Sequence, residues 1–244
     1  MKALLEVRDV RKRFGGVEAL AGCSFTVEEG SITSLIGPNG SGKTTLFNAV
    51  TGFITPDAGE VLLGGRPIQN LTPDSIYAAG LGRTFQQVRV FGRLTVLENV
   101  LVAASRRSAL AGLAARTGRA ERERALELLE FVGIARLAEV PAGSLSFGQK
   151  KLLEIAQILI GEPRLLLFDE PAGGVNPTMT QQIAEKIREL NGRGITFLLV
   201  EHNMEFVMGL SHRVVVMARG RVIAAGEPAE VRQNPAVLEA YLGT

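Results

Sequence analysis

Cysteine is scarce in this sequence, and its scarcity excludes two kinds of site. Cys23 is the only cysteine among the 244 residues. The chain therefore has neither an internal disulfide nor a cysteine-based metal cluster. Cys23 lies in the apolar segment Ala21–Val27, where a small, weakly polar side chain is most often buried. We expect it to be a core residue.

Long apolar runs are also absent. The strongest are Leu165–Phe168, Ile195–Val200 and Val214–Ala218. All are far shorter than the ~20 residues that a membrane-spanning helix needs. The first ten residues already include Glu6, Arg8 and Asp9, which argues against a secretory signal. We expect a cytoplasmic protein that reaches a membrane only through a partner.

No strong charge of one sign is present either. The 27 Lys and Arg residues nearly balance 25 Asp and Glu residues, for a net charge of +2. They are mixed along the chain, whereas nucleic-acid binders concentrate basic residues on a face or in a tail. We expect no nucleic-acid partner. The length allows one large α/β domain, or such a domain with a sub-lobe.

Short apolar runs alternate with amphipathic stretches, a pattern typical of an α/β core. The predicted strands are Leu4–Val10, Ala19–Val27, Ser31–Ile36, Glu60–Leu63, Arg66–Pro67, Arg83–Phe85, Leu165–Phe168, Ile195–Val200, Arg213–Ala218 and Arg221–Ala225. Turns at Gly15-Gly16, Gly64-Gly65 and Arg219-Gly220 predict antiparallel pairs. A helix is expected over Lys43–Val50, and two short helical segments are expected at the end of the chain.

The stretch from about Thr84 to Pro141 has a different character, which predicts a helical lobe inserted into the core. Thr95 and Glu98 form a capping-box pattern, which predicts a helix start. A connector, Arg106–Gly118, leads to a second amphipathic helix over Arg119–Val132.

A phosphate-binding loop follows the third predicted strand. Its residues are Gly37, Pro38, Asn39, Gly40, Ser41, Gly42, Lys43 and Thr44, which fit G-x-x-x-x-G-K-[ST] in the required place between a strand and a helix. Glycines let backbone amides approach phosphates, and the helix N-terminus favours the anion. We expect Lys43 to pair with the outer phosphates and Thr44 to coordinate Mg²⁺, with Thr45 or Ser41 as a further phosphate contact. The pattern predicts binding of a nucleoside triphosphate.

Two carboxylates end the apolar strand Leu165–Phe168. Asp169 is placed to hold Mg²⁺ beside Thr44, and Glu170 is a candidate general base for the attacking water. The structural alternative is a strand that leads into an acidic helix cap. His202 follows another core strand, where ligand sites form in α/β folds, and a contact to the γ-phosphate is expected. His212 has no such context and is predicted to be an ordinary surface residue.

Gln86 lies where the core gives way to the helical lobe. It either contacts Mg²⁺ or water, or only satisfies a turn. Ser146, Phe147, Gly148 and Gln149 precede a strongly amphipathic helix. The simplest interpretation of Ser146 is a helix N-cap.

This pentapeptide, Leu145–Gln149, nevertheless resembles the signature sequence of ABC ATPases. Five elements occur in the ABC order, and they are the phosphate loop, Gln86, the signature, Asp169-Glu170 and His202. The resemblance covers essentially the whole chain. It implies an α/β P-loop core of ABC ATPase type, with an antiparallel β subdomain and an inserted α-helical subdomain.

Residue ranges and partners also follow from the resemblance. It implies one ABC ATPase domain over 1–244, with 1–85 and 142–244 as the catalytic core and 86–141 as the helical subdomain. It also implies that two such domains sandwich two ATP molecules, each signature facing the other subunit's phosphate loop. Phe14 is expected to stack on adenine, and Gly173–Asn176 to cross the dimer interface. Phe147, Asn176 and Phe14 stand where Gly, Asp and Tyr are more usual.

Segments around the motifs resemble the ATP-binding subunits of branched-chain amino acid importers. They are Gly82–Gln86, Val90-Phe91, Leu94–Val100, Gly174–Pro177, Glu201–Met204, and the ending Asn234-Pro235 with Tyr241–Gly243. The resemblance implies an ATPase that dimerises with itself or a paralogue and drives two permease subunits at the inner face of the membrane, with a solute-binding protein selecting the substrate. Importers of urea or short-chain amides have closely related ATPases and are the alternative.

A permease helix is expected to dock beside Gln86, on Gln86–Thr95 and the helical lobe, with Arg89, Val90, Phe91 and Arg93 as its contacts. The alternative is an ordinary exposed loop. Two other classes compete with the transport hypothesis. Soluble ABC ATPases of DNA repair or translation usually carry two cassettes or a long coiled coil, and neither is visible here. A nucleotide-binding regulator without turnover would not need Glu170.

Overall fold

The computed structural model describes residues 2–85, 88–105 and 118–242. Gln86 and most of the predicted connector Arg106–Gly118 therefore lie outside the described residues. Ten strands are present in the described ranges. They are β1 (Ala3–Phe14), β2 (Val17–Glu28), β3 (Ile32–Ile36), β4 (Ala58–Leu63), β5 (Arg66–Pro67), β6 (Leu81–Arg83), β7 (Leu165–Asp169), β8 (Thr196–Val200), β9 (Arg213–Ala218) and β10 (Arg221–Gly226).

The helices of the same ranges alternate with these strands. They are α1 (Lys43–Val50), α2 (Pro73–Ala78), α3 (Val96–Ser105), α4 (Arg119–Phe131), α5 (Phe147–Leu159), α6 (Pro177–Gly192), α7 (Met204–Leu210), α8 (Pro228–Gln233) and α9 (Pro235–Leu242). None of the helices that the structure describes combines the length and the apolar character that crossing a bilayer requires.

A six-stranded sheet in the order β10-β9-β3-β8-β7-β6 forms the core of the described chain. All neighbouring strands in it are parallel except β9 and β10, which are antiparallel, and every residue of β3, β7 and β8 is buried. Such continuous apolar strands are typical of a parallel sheet covered on both faces. Because the carboxyl ends of parallel strands meet at one edge, Gly37, Asp169 and His202 are brought to the same side of the molecule.

A second, antiparallel sheet has the order β2-β1-β4-β5. The predicted hairpins at Gly15-Gly16 and Gly64-Gly65 are both confirmed. Cys23 on β2 is fully buried, as expected, with its Sγ 4.0 Å from the sulfur of Met217.

The inserted helices α3 and α4 lie between β6 and β7 in the chain and pack with α5 in one apolar cluster. The Thr95 capping box that starts α3 is confirmed. Thr95 N–H donates to Glu98 Oε2 at 2.7 Å, and Glu98 N–H donates to Thr95 Oγ1 at 3.1 Å. Together the two sheets and these helices give the α/β architecture that the sequence predicts.

Two details of the prediction are wrong or incomplete. The strand expected to run through Phe85 ends at Arg83, because the Thr84 hydroxyl takes over the pairing and accepts from Asp169 N–H at 3.1 Å. His212 is exposed, as predicted, but it is not an idle surface residue. Its Nδ1 accepts a hydrogen bond of 3.0 Å from Ile32 N–H at the start of β3.

Candidate active site

The phosphate loop connects β3 to α1 and depends on glycine at defined places. Gly37 and Gly42 have φ values of 152° and 103°, in the region that favours glycine. A Cβ on Gly37 would collide with the Met217 carbonyl oxygen, and one on Gly42 would lie 2.6 Å from the Ala19 carbonyl oxygen. The loop therefore packs against its neighbours in a shape that a side chain at either position would prevent.

Lys43 is buried inside this loop. Its ammonium donates to the carbonyl oxygens of Gly37, at 2.8 Å, and Pro38, at 3.0 Å. Burial lowers the pKa of Lys43, while the carboxylates of Glu170 and Asp169 act to raise it. The lysine is thus held within the loop and shares the electrostatic field of the two acidic residues.

The other loop residues differ in exposure. Asn39, Gly40 and Thr44 are exposed, Thr45 is half-buried and Ser41 is buried. A Cβ on Gly40 would meet nothing within 4 Å. The middle of the loop therefore faces open space.

Phe14 ends β1 and is 49% exposed. The Lys12 ammonium lies 5.6 Å from the centroid of its ring. An exposed aromatic ring at a strand end is available for stacking on a planar ligand.

Asp169 ends β7 and is buried. Its Oδ2 accepts from Arg83 Nη2 at 3.2 Å. Burial raises the pKa of Asp169 and is the larger influence, while the Arg83 charge and hydrogen bond act to lower it.

Arg83 is a site residue that the sequence prediction missed. Its Nη1 donates to Asn48 Oδ1 at 2.7 Å and to Thr51 Oγ1 at 2.9 Å on α1. The guanidinium also lies over the rings of three phenylalanines, Phe47, Phe53 and Phe85. The sequence does contain a signal for it, since Arg83 lies within a predicted core strand and a buried charge requires a partner.

Glu170 and His202 come together directly beyond the sheet edge. His202 Nε2 lies 2.9 Å from Glu170 Oε1. Glu170 has a φ of 52°, which is uncommon for a residue with a side chain. Its N–H donates to Val200 O at 2.9 Å, so the turn after β7 is tied to the end of β8.

The signature segment starts α5 with a complete capping box. Ser146 Oγ accepts from Gln149 N–H at 3.3 Å, and Gln149 Oε1 accepts from Ser146 N–H at 2.9 Å. The N-cap interpretation of Ser146 is therefore confirmed. Phe147 is 44% exposed. A Cβ on Gly174 would lie 3.1 Å from its ring, so Phe147 flanks the segment Gly173–Asn176.

Asn176 has a local structural role. Its Oδ1 accepts from Met179 N–H at 2.8 Å and caps α6. Asn and Asp are nearly equivalent as N-caps, so the residue that departs from the usual pattern preserves the cap.

The structure thus brings together Lys43, Asp169, Glu170 and His202 at one edge of the sheet. Gly148 and the rest of the signature lie at the N-terminus of α5, and Phe14 lies at the end of β1. Tyr241 on α9 was not predicted to be near the site. Burial raises the pKa of its phenol, and the Gly37 backbone amide acts to lower it, which places α9 against the first residue of the phosphate loop.

A groove of about 530 Å³ lies between the core and the helical lobe. Its aromatic and charged lining includes Phe53, Tyr77, Arg83, Phe85, Arg89, Phe91 and Glu154. Of the four predicted docking residues, Arg89 and Phe91 line this groove. Val90 instead packs against the apolar cluster of the lobe, and Arg93 is exposed outside the groove. Two of the four residues therefore lie where a helix bound in this groove would contact them, and their role in docking stays a prediction.

Comparisons with known proteins agree with this geometry. Residues 20–173 match the ABC transporter family, and residues 221–244 match the branched-chain amino acid ATP-binding cassette transporter family. The high-affinity branched-chain amino acid transport ATP-binding protein BraF of Pseudomonas aeruginosa is 43% identical over 251 residues, which cover 99% of this chain and 98% of BraF.

Solved structures are similar over the same length. An ATP-binding cassette of an ABC transporter in its ADP conformation is 36% identical, with a TM-score of 0.90 and full coverage of both chains. A dimeric bacterial ABC transporter cassette is 27% identical, with a TM-score of 0.80, covering 92% of this chain and 98% of that one. The chain belongs to the ABC transporter family of ATPases, in the group of branched-chain amino acid transport ATP-binding proteins.

Proposed function

We propose that this ATPase is the motor subunit of a branched-chain amino acid importer, dimerising around two ATP molecules and driving a membrane permease. The cluster of Lys43, Asp169, Glu170 and His202 at one edge of the parallel sheet supports the ATP-driven part of this proposal, and the 43% identity to BraF supports the importer part. A cationic loop beside two carboxylates and an imidazole is suited to holding a triphosphate and removing a proton from water.

ATP is the proposed substrate. The amides of Gly40 and the following residues, with the N-terminus of α1, would receive the phosphates. Lys43 would then exchange its contacts with the loop carbonyls for the outer phosphates, helped by Ser41 or Thr45. Phe14 would stack on the adenine ring, since its ring is half exposed.

Mg²⁺ is the proposed cofactor, and the oxygen donors at the site suit it. Thr44 offers a hydroxyl and Asp169 a carboxylate, which are the ligand types that Mg²⁺ prefers. Gln86, outside the described residues, is the third proposed contact. When bound, Mg²⁺ would neutralise charge on the phosphates. Arg83 holds the Asp169 carboxylate in a fixed orientation through one oxygen.

Glu170 is the proposed general base. Its carboxylate would accept a proton from the attacking water. His202, whose Nε2 lies 2.9 Å from Glu170 Oε1, would orient that carboxylate and contact the γ-phosphate. These assignments make Glu170 essential for hydrolysis but not for ATP binding.

The signature of a second subunit would complete each site. Ser146 uses its oxygen to accept from Gln149 N–H, which leaves the hydroxyl proton as a donor toward a phosphate. Gly148 admits close backbone approach, and the exposed ring of Phe147 would lie in the interface beside Gly173–Asn176. The partner is either a second copy or a paralogue.

The groove is the proposed docking site for a short permease helix. Residues 86–141 would act as a helical subdomain that moves against the core formed by 1–85 and 142–244. Phe91 is exposed, yet its backbone N–H is held by Asn99 Oδ1 at 2.8 Å, which fixes the rim of the groove. Two permease subunits would hold the dimer at the inner face of the cell membrane, and a solute-binding protein would supply the substrate.

Uptake by the assembled transporter tests the proposal. The chain would be co-expressed with its permease pair and binding protein, and uptake of labelled leucine, isoleucine and valine compared with urea and acetamide. ATP-dependent leucine uptake that Glu170→Gln abolishes is expected. If the transporter takes up only urea or acetamide, the chain is instead the ATPase of one of the related importers. If the chain is isolated bound to nucleic acid and without a permease, the proposed role in transport is wrong.

Docking is tested by Phe91→Arg, which should reduce recovery of the permease with the ATPase by at least about tenfold, since a buried interface charge is costly. Leu71→Arg is the matched control, because Leu71 is 40% exposed but outside the groove. Equal recovery of permease with both variants would remove the groove as the docking site.

A further inference from the structure

Lys151 is a buried lysine that none of the roles above uses. It lies on α5, five residues after Ser146, and only 7% of it is exposed. Burial lowers its pKa, while the carboxylates of Glu201, Glu154 and Glu170 act to raise it. Lysine is rarely this buried without a specific partner, because an unsatisfied ammonium in the interior is strongly unfavourable.

The partners of Lys151 are the backbone of the acidic turn. Its ammonium donates to Glu170 O at 2.7 Å and to Pro171 O at 3.0 Å. These carbonyls belong to the residue proposed as general base and to the residue after it. The lysine therefore joins the signature helix to the turn that carries Glu170.

That turn is in an unfavourable conformation. Glu170 has a φ of 52°, and such a backbone persists in a residue with a side chain only when its surroundings hold it there. Three further contacts hold the turn: Glu170 N–H donates to Val200 O at 2.9 Å, Ala172 N–H to Glu201 Oε1 at 2.7 Å, and, within the turn, Gly173 N–H to Glu170 O at 3.0 Å.

The holding contacts come from three places. Val200 ends β8 and Glu201 follows it, Gly173 belongs to the turn itself, and Lys151 comes from the helix that the signature starts. A single ammonium, that of Lys151, holds the carbonyl oxygens of both Glu170 and Pro171. Loss of this ammonium would remove one donor from each carbonyl and leave Glu170 O with the Gly173 N–H contact inside the turn.

We propose that Lys151 is a positioning residue for ATP hydrolysis, fixing the strained backbone of Glu170 so that its carboxylate stays aligned beside His202. The proposal rests on the proposed function of Glu170 as general base. Small displacements of a catalytic group cost large factors in rate. Lys151 itself touches neither water nor nucleotide in this scheme, so it should affect turnover and not substrate binding.

Steady-state ATP hydrolysis by Lys151→Met, Lys151→Arg, Lys150→Met and Glu170→Gln tests this role, together with equilibrium binding of a fluorescent ATP analogue and thermal unfolding. We expect Lys151→Met to lower kcat at least about tenfold, with KM and analogue affinity within about threefold of wild type. Lys151→Arg should recover most of kcat, because a guanidinium also donates to two carbonyls. Lys150→Met loses the same charge one residue away and should retain wild-type kcat.

Two results would overturn the positioning role. One is a folded Lys151→Met protein with the kcat of Lys150→Met. The other is a parallel loss of kcat and affinity without rescue by Lys151→Arg, since that result indicates that Lys151 only supports the fold. If Lys151→Met does not fold, Lys151→Gln keeps an amide donor without the charge and is judged by the same comparison.

Glu170→Gln distinguishes this inference from the proposed function. Normal hydrolysis in Glu170→Gln removes Glu170 as general base, whatever Lys151 does. Loss of hydrolysis in Glu170→Gln together with normal kcat in Lys151→Met leaves the general base in place and rejects the positioning role alone.

Discussion

The two halves of the active site are held in different ways. In the phosphate loop, Lys43 bonds to carbonyls five and six residues away, and the shape comes from glycines within the same eight residues. In the acidic turn, Lys151 reaches Glu170 from 19 residues away and Arg83 reaches Asp169 from 86 residues away. A local motif carries its own geometry, whereas the acidic turn depends on buried charges delivered by the tertiary fold.

The largest effect is expected in the local half, at Lys43. Replacing Lys43 by Ala should weaken ATP binding about tenfold or more and reduce hydrolysis by at least about 100-fold, because the proposed charge-assisted bonds from Lys43 to the phosphates would be lost. Phosphate release and binding of a fluorescent ATP analogue measure the two effects. Glu170→Gln should lose hydrolysis but keep ATP binding. If Lys43→Ala binds ATP as tightly as wild type, the loop is not the phosphate site.

The second effect concerns the buried pair of Arg83 and Asp169, whose side chains are 8% and 9% exposed. Arg83→Met leaves the Asp169 carboxylate buried without its cation, and it should lower the free energy of unfolding by about 3 kcal/mol. Urea denaturation measures the loss. Burial lowers the pKa of Arg83 and raises that of Asp169, which indicates that burial disfavours the charged form of both side chains.

The double variant Arg83→Met with Asp169→Asn is the matched control for that measurement. It removes both charges and should be more stable than Arg83→Met alone. If the stability lost in the double variant equals the sum of the losses in Arg83→Met and Asp169→Asn, the two side chains are not coupled.

The third effect is a pH dependence from Glu154 on α5. Its carboxylate accepts from Phe85 N–H at 3.1 Å, and burial raises its pKa from 4.5 to about 7. The folded chain therefore binds more protons than the unfolded chain between these pH values. The contribution of Glu154 to stability is highest below pH 4.5 and falls as the pH rises to about 7, by at most about 3 kcal/mol.

Glu154→Gln should remove this part of the pH dependence. The free energy of unfolding, measured at about pH 5.5 and about pH 8, should fall less with rising pH in the variant than in wild type. Equal slopes in the two proteins would show that Glu154 ionises normally in the folded state.

The smallest effect is expected at Asn176, whose contact with Met179 N–H is local. Asn176→Ala should cost about 1 kcal/mol of stability and Asn176→Asp nearly nothing, because Asp is an equally good N-cap. Thermal unfolding measures both. A large loss in Asn176→Asp would mean that this segment depends on more than its cap.

The same contrast between local and tertiary contacts accounts for what the sequence could predict. The glycine-rich loop between a strand and a helix, the Thr95 capping box, the Ser146 N-cap and the buried strands are confirmed, because each depends on residues close together in the chain. The partners of Arg83 and Lys151 were not predicted, since they depend on which strand and helix pack side by side.

The segment predicted to dock the permease shows this limit most clearly. Arg89 and Phe91 line the groove while Val90 faces the lobe, and composition alone does not reveal which side chain of an irregular segment turns inward. Strand β6 ends early for a similar reason, because the Thr84 hydroxyl competes with the backbone for Asp169 N–H.

The most direct test of ATP-driven pairing is the mass of Glu170→Gln in solution with and without ATP and Mg²⁺, compared with Glu170→Gln carrying Ser146→Arg. A species of twice the 26.1 kDa chain is expected for Glu170→Gln with ATP and Mg²⁺. Without nucleotide, and in the double variant, a monomer is expected, because in the proposed dimer the signature of one subunit contacts the ATP bound to the other. A monomer under all conditions, or equal dimerisation of the double variant, would contradict the ATP-sandwich dimer.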